Sequence, residues 1–326
     1  MKRAIPILAA AALVVLVVCM PGCQSQRQQR VTEAQIRLEQ AQLYLEQGLT
    51  DSALAAFGMA LEDNPSLTEA HMGMGDIYRQ RGDYELASSA YERATQTAPA
   101  SFDAHYYLGV SRQLMGKLNE SVAAYLQALA LRPDDFHANA HLAAAFLQLG
   151  RPGDALPYAK RATELKSEDQ GAQANLGATY VLLGQYERAV EAYDYAVQQG
   201  GAQPPIVLGL ADAQIKAGRF RQAIDTLHGL IRKTPSSVAY ERLGYAHFKL
   251  GQFDQALASY RAALSLDADD TAALNGLGVC LMALYIQSGR EVPQQRDDAL
   301  AAWRRSLQLR PQQPAIVNLL VRYSKM

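Results

Sequence analysis

The sequence predicts an all-α protein built as a tandem array of helix–turn–helix units. Three observations predict it. Gly48, Gly82, Gly116, Gly150, Gly184 and Gly218 are each 34 residues apart, and Gly251 follows after 33. A parallel ladder of tiny residues runs through Ala41, Gly75, Gly109, Ala143, Gly177, Ala211, Gly244 and Gly278. After most turn glycines comes an alanine with a ring four residues on, as in Ala53/Phe57, Ala87/Tyr91, Ala189/Tyr193, Ala256/Tyr260 and Ala299/Trp303. Self-similarity at such a period marks stacked helical hairpins.

The first thirty residues stand apart. Lys2 and Arg3 precede an apolar run, Ala4–Val18, of signal-peptide length and too short for a spanning helix. Met20-Pro21-Gly22-Cys23 resembles the lipobox of bacterial lipoproteins, with Pro21 unusual in its slot and Cys23 the residue that would be lipidated. An ordinary cleaved signal and an uncleaved anchor stay open. All three place the repeats outside the cytoplasm. We therefore read 1–23 as signal peptide and lipobox, and the Gln- and Arg-rich 24–33 as a polar tether. Gln24, where some enteric lipoproteins carry a retaining aspartate, favours a periplasm-facing place on the outer membrane of a Gram-negative cell.

Residues 34–203 hold five repeats. In each, residues three or four apart share one helix face. A tiny residue admits the neighbouring helix and the ring fills the gap. The turn glycine ends the first helix, and Pro65, Pro99, Pro133, Pro235 and Pro311 stop the second in their copies. Gly200, Gly201, Pro204 and Pro205 interrupt the array. A kink or weak hinge is expected there. Residues 204–313 hold three more repeats. The eighth copy is lengthened by a polar insertion, about 285–296, expected as a longer loop and read as a tolerated surface insertion or a partner contact. Residues 314–326 supply a capping helix, which a repeat array needs over its last apolar face.

This pattern resembles the tetratricopeptide repeat family over roughly residues 34–313. The resemblance implies a right-handed superhelical α-solenoid of about eight repeats plus the cap, its concave wall lined mainly by the first helix of each pair. It also implies a protein that binds partners rather than converts substrates.

Charge and composition bound the partners. The net charge of −1 leaves no nucleic-acid footprint. Its distribution is uneven: residues 34–135 carry 7 Lys/Arg against 14 Asp/Glu, and 204–326 carry 15 against 10. A solvated surface and an oriented, extended, charged partner both account for this. On the first helices, early copies present Glu39, Asp76 and Arg79, and late copies Asp212, Lys216, Arg242, Tyr245 and Lys249. The middle copies are richest in rings and small side chains, the usual make-up of a recognition centre. The expected peptide-binding groove is Tyr106, Tyr107, His137, His141, Asn175, Arg242 and Tyr245, with packing between repeats as the alternative role of the rings. The Lys/Asn carboxylate clamp of some family members is absent from the comparable slots, and Asn175 stands alone where others carry an asparagine ladder.

Catalytic chemistry is scarce. His137 and His141 are one helical turn apart and could chelate a metal, with Asp103 as a third ligand, yet Ala138, Asn139 and Ala140 lie between them. A metal-dependent enzyme using this pair is the alternative reading. No nucleophile elbow, dinucleotide fingerprint or phosphate loop is present. No cofactor and no resident metal is expected. Cys280, the cysteine that remains after processing at Cys23, is expected as a small buried residue. The reading that emerges is a non-enzymatic, membrane-tethered scaffold binding another envelope protein or peptide in pilus, secretin or outer-membrane assembly, with self-association left open.

Overall fold

A computed structural model describes residues 21–200 and 203–324. The apolar run Ala4–Val18 and Cys19 lie outside these residues, and Cys23 falls within the first helix. No helix among the described residues is long and apolar enough to cross a membrane.

The described chain is helical throughout its repeats and forms two compact units, residues up to Met115 and residues from Gly116. In the first unit α1 (Pro21–Glu46) pairs with α2 (Thr50–Asp63) and α3 (Thr68–Arg81) with α4 (Tyr84–Thr97), and α5 (Phe102–Leu114) packs on α4. The second unit begins with α6 (Leu118–Leu131). The pairs α7 (Phe136–Gln148) with α8 (Pro152–Leu165) and α9 (Gln170–Leu182) with α10 (Tyr186–Gly200) follow. Next come α11 (Pro204–Lys216) with α12 (Phe220–Lys233), and α13 (Ser237–Lys249) with α14 (Phe253–Leu266). The last pair, α15 (Thr271–Gln287) with α16 (Pro293–Leu309), is covered by α17 (Pro314–Tyr323).

Each repeat is punctuated by the same local chemistry. The seven ladder glycines have φ between 68° and 82°, the left-handed conformation that ends a helix at low cost only for glycine. Five first helices are capped by side chains: Ser101, Asp135, Asp169, Ser236 and Asp270 each accept from a backbone N–H within the first turn. A further staple recurs at the 34-residue period. His71, His105, Asn139 and Gln173 each bond the carbonyl six residues back, those of Pro65, Pro99, Pro133 and Ser167, at 2.9–3.0 Å. It ties the start of the first helix to the loop before it. In the sixth copy Val207 stands in this slot and is buried instead.

The rings interlock the array. Tyr193 of α10 lies against Gly177 of α9 and Gly209 of α11; a Cβ on either glycine would fall 2.7 or 2.6 Å from ring carbons. Tyr260 of α14 sits likewise between Gly244 of α13 and Gly276 of α15. One second-helix ring thus meets its own first helix and the next one.

At the glycine–proline junction, where Gly201 lies outside the described residues, Ile206 and Leu210 join Leu176, Tyr180 and Tyr193 in one buried cluster. One expectation is altered. The 285–296 insertion is mostly helix rather than loop. Tyr285 continues the buried face of Leu281 and Met282 and extends α15, while Pro293 takes the first turn of α16, where its missing N–H is harmless. Only residues 288–292 connect the two helices.

Opposite signs are expected from two glycine substitutions. Gly276→Ala places a methyl group 2.3 Å from Tyr260 ring carbons and should cost about 1–3 kcal/mol by overpacking. Gly229→Ala, mid-helix with no neighbour within 4 Å of the added methyl, should gain roughly 0.5–1 kcal/mol. Urea unfolding of both variants checks the pair.

Candidate functional site

A cleft lies in the second unit, between the first helices α11 and α13. Its volume is about 560 Å³, and Asp212, Lys216, Phe220, Glu241, Arg242, Tyr245 and Lys249 line it. Arg242, Tyr245 and Lys249 lie three and seven residues apart, so α13 presents them on one face. Asp212 and Lys216 do the same from α11. Gly218 turns the chain so that Phe220, the first residue of α12, closes one end.

Arg242 is held from two sides. Its Nε donates to Asp212 Oδ1 at 2.7 Å, bridging the two helices, and its guanidinium also pairs with Glu241. The bridging pair is about one-third exposed on both partners. An ion pair this wet contributes at most about 1 kcal/mol, so its role is orientation rather than stability. Glu241 is different: its side chain is only 12% exposed, and burial pushes its carboxyl up, against the opposing pull of Arg242. Tyr245 is exposed in the cleft, and Lys249 lies over the Phe220 ring, 5.8 Å from its centroid. Such a surface offers a fixed guanidinium, two ammonium groups and an exposed ring.

The other expected groove residues fall elsewhere. Tyr106 and Tyr107 are on α5 in the first unit and half-buried. Tyr107 stacks on Tyr91 at 5.6 Å and carries Arg79 over its face at 5.0 Å. The Tyr91 hydroxyl donates to Asp76 at 2.6 Å, and burial and this carboxylate together raise its pKa. In the second unit His137 is exposed on α7, and His141 is half-buried with its ring 5.9 Å from that of Tyr125. Burial, then the neighbouring His137, holds His141 below the ordinary histidine range. Asn175 is half-buried on α9. Among the described residues no three His, Cys, Asp or Glu side chains converge as metal ligands.

Four of these residues share a slot. Tyr107, His141, Asn175 and Arg242 stand where other copies have Gly73, Gly209 and Gly276. Those glycines receive the ring of the preceding second helix. In Tyr107 and His141 a side chain leans onto that ring instead, so these two pack between repeats. Glu241 and Phe220 were not anticipated. A signal for Phe220 was available: the residue two after the turn glycine is also a ring in Tyr84, Tyr186 and Phe253. Glu241 had none, since its burial depends on its neighbours in space.

Three sequence models of the tetratricopeptide repeat match the chain, one over residues 75–116, 114–150 and 244–284, one over 142–204 and one over 180–243. The chain belongs to the tetratricopeptide repeat family. A curated relative, heat shock protein STI1 of Saccharomyces cerevisiae, is 32% identical over 94 residues, 28% of this chain and 16% of that protein. The chain therefore spans under a fifth of that relative's length. Among solved structures, a tetratricopeptide repeat protein from Parabacteroides merdae is similar with a TM-score of 0.60 and 19% identity, covering 80% of this chain and all of that one. PilW, a type IV pilus biogenesis factor, is similar with a TM-score of 0.52 and 22% identity, covering 64% and 96%. At these identities the likeness is one of fold. Proteins of this fold are protein–protein interaction scaffolds, generally without catalysis of their own, and this chain is one by its repeats.

Linkage through Glu241 gives a pH signature. Its folded pKa is raised, so the folded state holds this proton more tightly than the unfolded one. Its contribution to stability is full below the ordinary glutamate value and is lost as pH rises through the folded value. Unfolding free energies measured from pH 4 to 7 should fall more steeply for the wild type than for Glu241→Gln over that window.

Proposed function

We propose that this chain is a membrane-tethered scaffold that binds a peptide or extended protein segment along its first-helix wall, in assembly or secretion at the cell envelope. The observation that carries the reading is the α11–α13 cleft, where Arg242 is pinned between two carboxylates beside the exposed ring of Tyr245. A preorganised guanidinium next to an open aromatic is the composition of a binding hot spot. The conformational freedom lost on binding is small, because Arg242 is already positioned.

The tether is the second part of the proposal. Cys23 would carry the lipid after cleavage at the Met20-Pro21-Gly22-Cys23 sequence, and the protein would face the periplasm from the outer membrane. Anchoring raises the local concentration of the cleft for other envelope components. The fold likeness to PilW, a type IV pilus biogenesis factor, is in keeping with this setting. Tyr106, Tyr107, His137, His141 and Asn175 would extend the binding wall on their own units.

Three measurements test it. A photo-reactive residue at position 245 of the full chain should crosslink to one discrete protein in cells. Arg242→Ala with Tyr245→Ala should weaken that partner's binding by about thirtyfold or more, the scale of a hot-spot truncation, while the helical circular dichroism is kept. Unchanged binding rejects the cleft. Separately, Cys23→Ser should abolish fatty-acid labelling and move the protein out of the membrane fraction.

A further inference from the structure

Ile36 and Leu43 on α1 are 58% and 51% exposed. Their slots are covered in every later copy: Ala70 and Ile77 in the second, Ala138 and Ala145 in the fourth, and so on to Ala273 and Cys280 in the eighth. In the second copy the cover is α2, whose Ala53, Ala56 and Phe57 share a buried cluster with Ala70 and Ile77. Among the described residues, the first copy thus presents, uncovered, the face that the repeat is built to bury. Glu39 and Glu46, also seven apart and both exposed, flank this stripe.

At the other end of the array, α17 buries Ile316 and exposes Val317 and Val321, one turn apart, at 39% and 54%. Arg310, at the end of α16, and Arg322, next to Val321 in sequence, are both exposed. The wider charge agrees, with residues 34–135 net −7 and 204–326 net +5.

We propose that copies of this chain associate head to tail, the outer stripe of α1 on one copy seating on the Val317/Val321 face of α17 on another. The charges select this pairing over its alternatives. Two α1 faces would bring Glu39 and Glu46 against their own kind, and two α17 faces would oppose arginines; like charges across an interface are penalised. Head-to-tail contact places acids against arginines around an apolar centre. Such an interface is heterologous, so it repeats along a row rather than closing as a two-fold dimer. This inference does not depend on the cleft or on the lipid anchor.

The test uses full chains carrying different tags, one with Leu43→Cys and one with Val321→Cys, mixed under mild oxidation. A disulfide-linked species bearing both tags is expected only in the mixture, with its yield falling as salt is raised. Glu39→Lys with Glu46→Lys on the first chain should lower the yield about tenfold by reversing two contacts, and Arg310→Glu with Arg322→Glu on the second should restore it. Four results overturn the proposal. They are homodimers of either variant alone, linkage of either variant to the wild-type chain through its native cysteines, no mixed species, or no rescue. The last two are also the result expected if a bilayer or residues 1–20 of the same chain cover α1.

Discussion

Tyr260 lies between Gly244 and Gly276, its ring occupying the space that a methyl group on either glycine would need. Tyr193 does the same between Gly177 and Gly209. This contact sets the spacing of the helices around it. Helices approach closely only where one of them lacks a side chain, and the ring then fills the remaining volume at the density of a protein interior. Because one ring touches the first helix of its own repeat and that of the next, the same contact both closes a hairpin and joins it to its neighbour. Repeat arrays derive their cooperativity from such neighbour terms.

The same constraint decides which residues are free to recognise something. The buried second-helix slots are committed to alanine and rings, as Ala256, Tyr260 and Ala263 illustrate. The first helices carry the variation. Where the ring-facing slot is glycine, the helix gives all of that surface to packing. Where it holds Tyr107 or His141 the side chain leans onto that ring, and where it holds Arg242 the guanidinium bridges to Asp212 on α11. Side chains of different chemistry thus enter at one repeated slot.

The turn glycines, the tiny ladder and the rings were legible in the sequence because each is a local demand repeated many times. Phase agreement over successive copies made the helix pairs readable before any contact was known. What stayed hidden depends on distance in space or on competing local signals. The staple uses two histidines, an asparagine and a glutamine at positions 71, 105, 139 and 173, so no one residue type runs through the ladder to announce it. Pro293 and Gly289 gave the insertion the look of a loop, but Pro293 sits where a proline starts a helix and Tyr285 belongs to the core. Arg242 and Tyr245 were expected on a binding wall. The burial of Glu241 beside them follows from the packing of α13 in space, which no single stretch of sequence reveals.

Cys280 is wholly buried, its thiol against the Phe253 carbonyl and pushed up to about 11 by burial. A thiol so protonated and so enclosed reacts with an alkylating reagent only when α14 and α15 part. The chain thus carries its own clock for local opening of the seventh and eighth hairpins. The labelling rate at this one sulfur, read by mass, would time the breathing of that end of the array without any engineered probe.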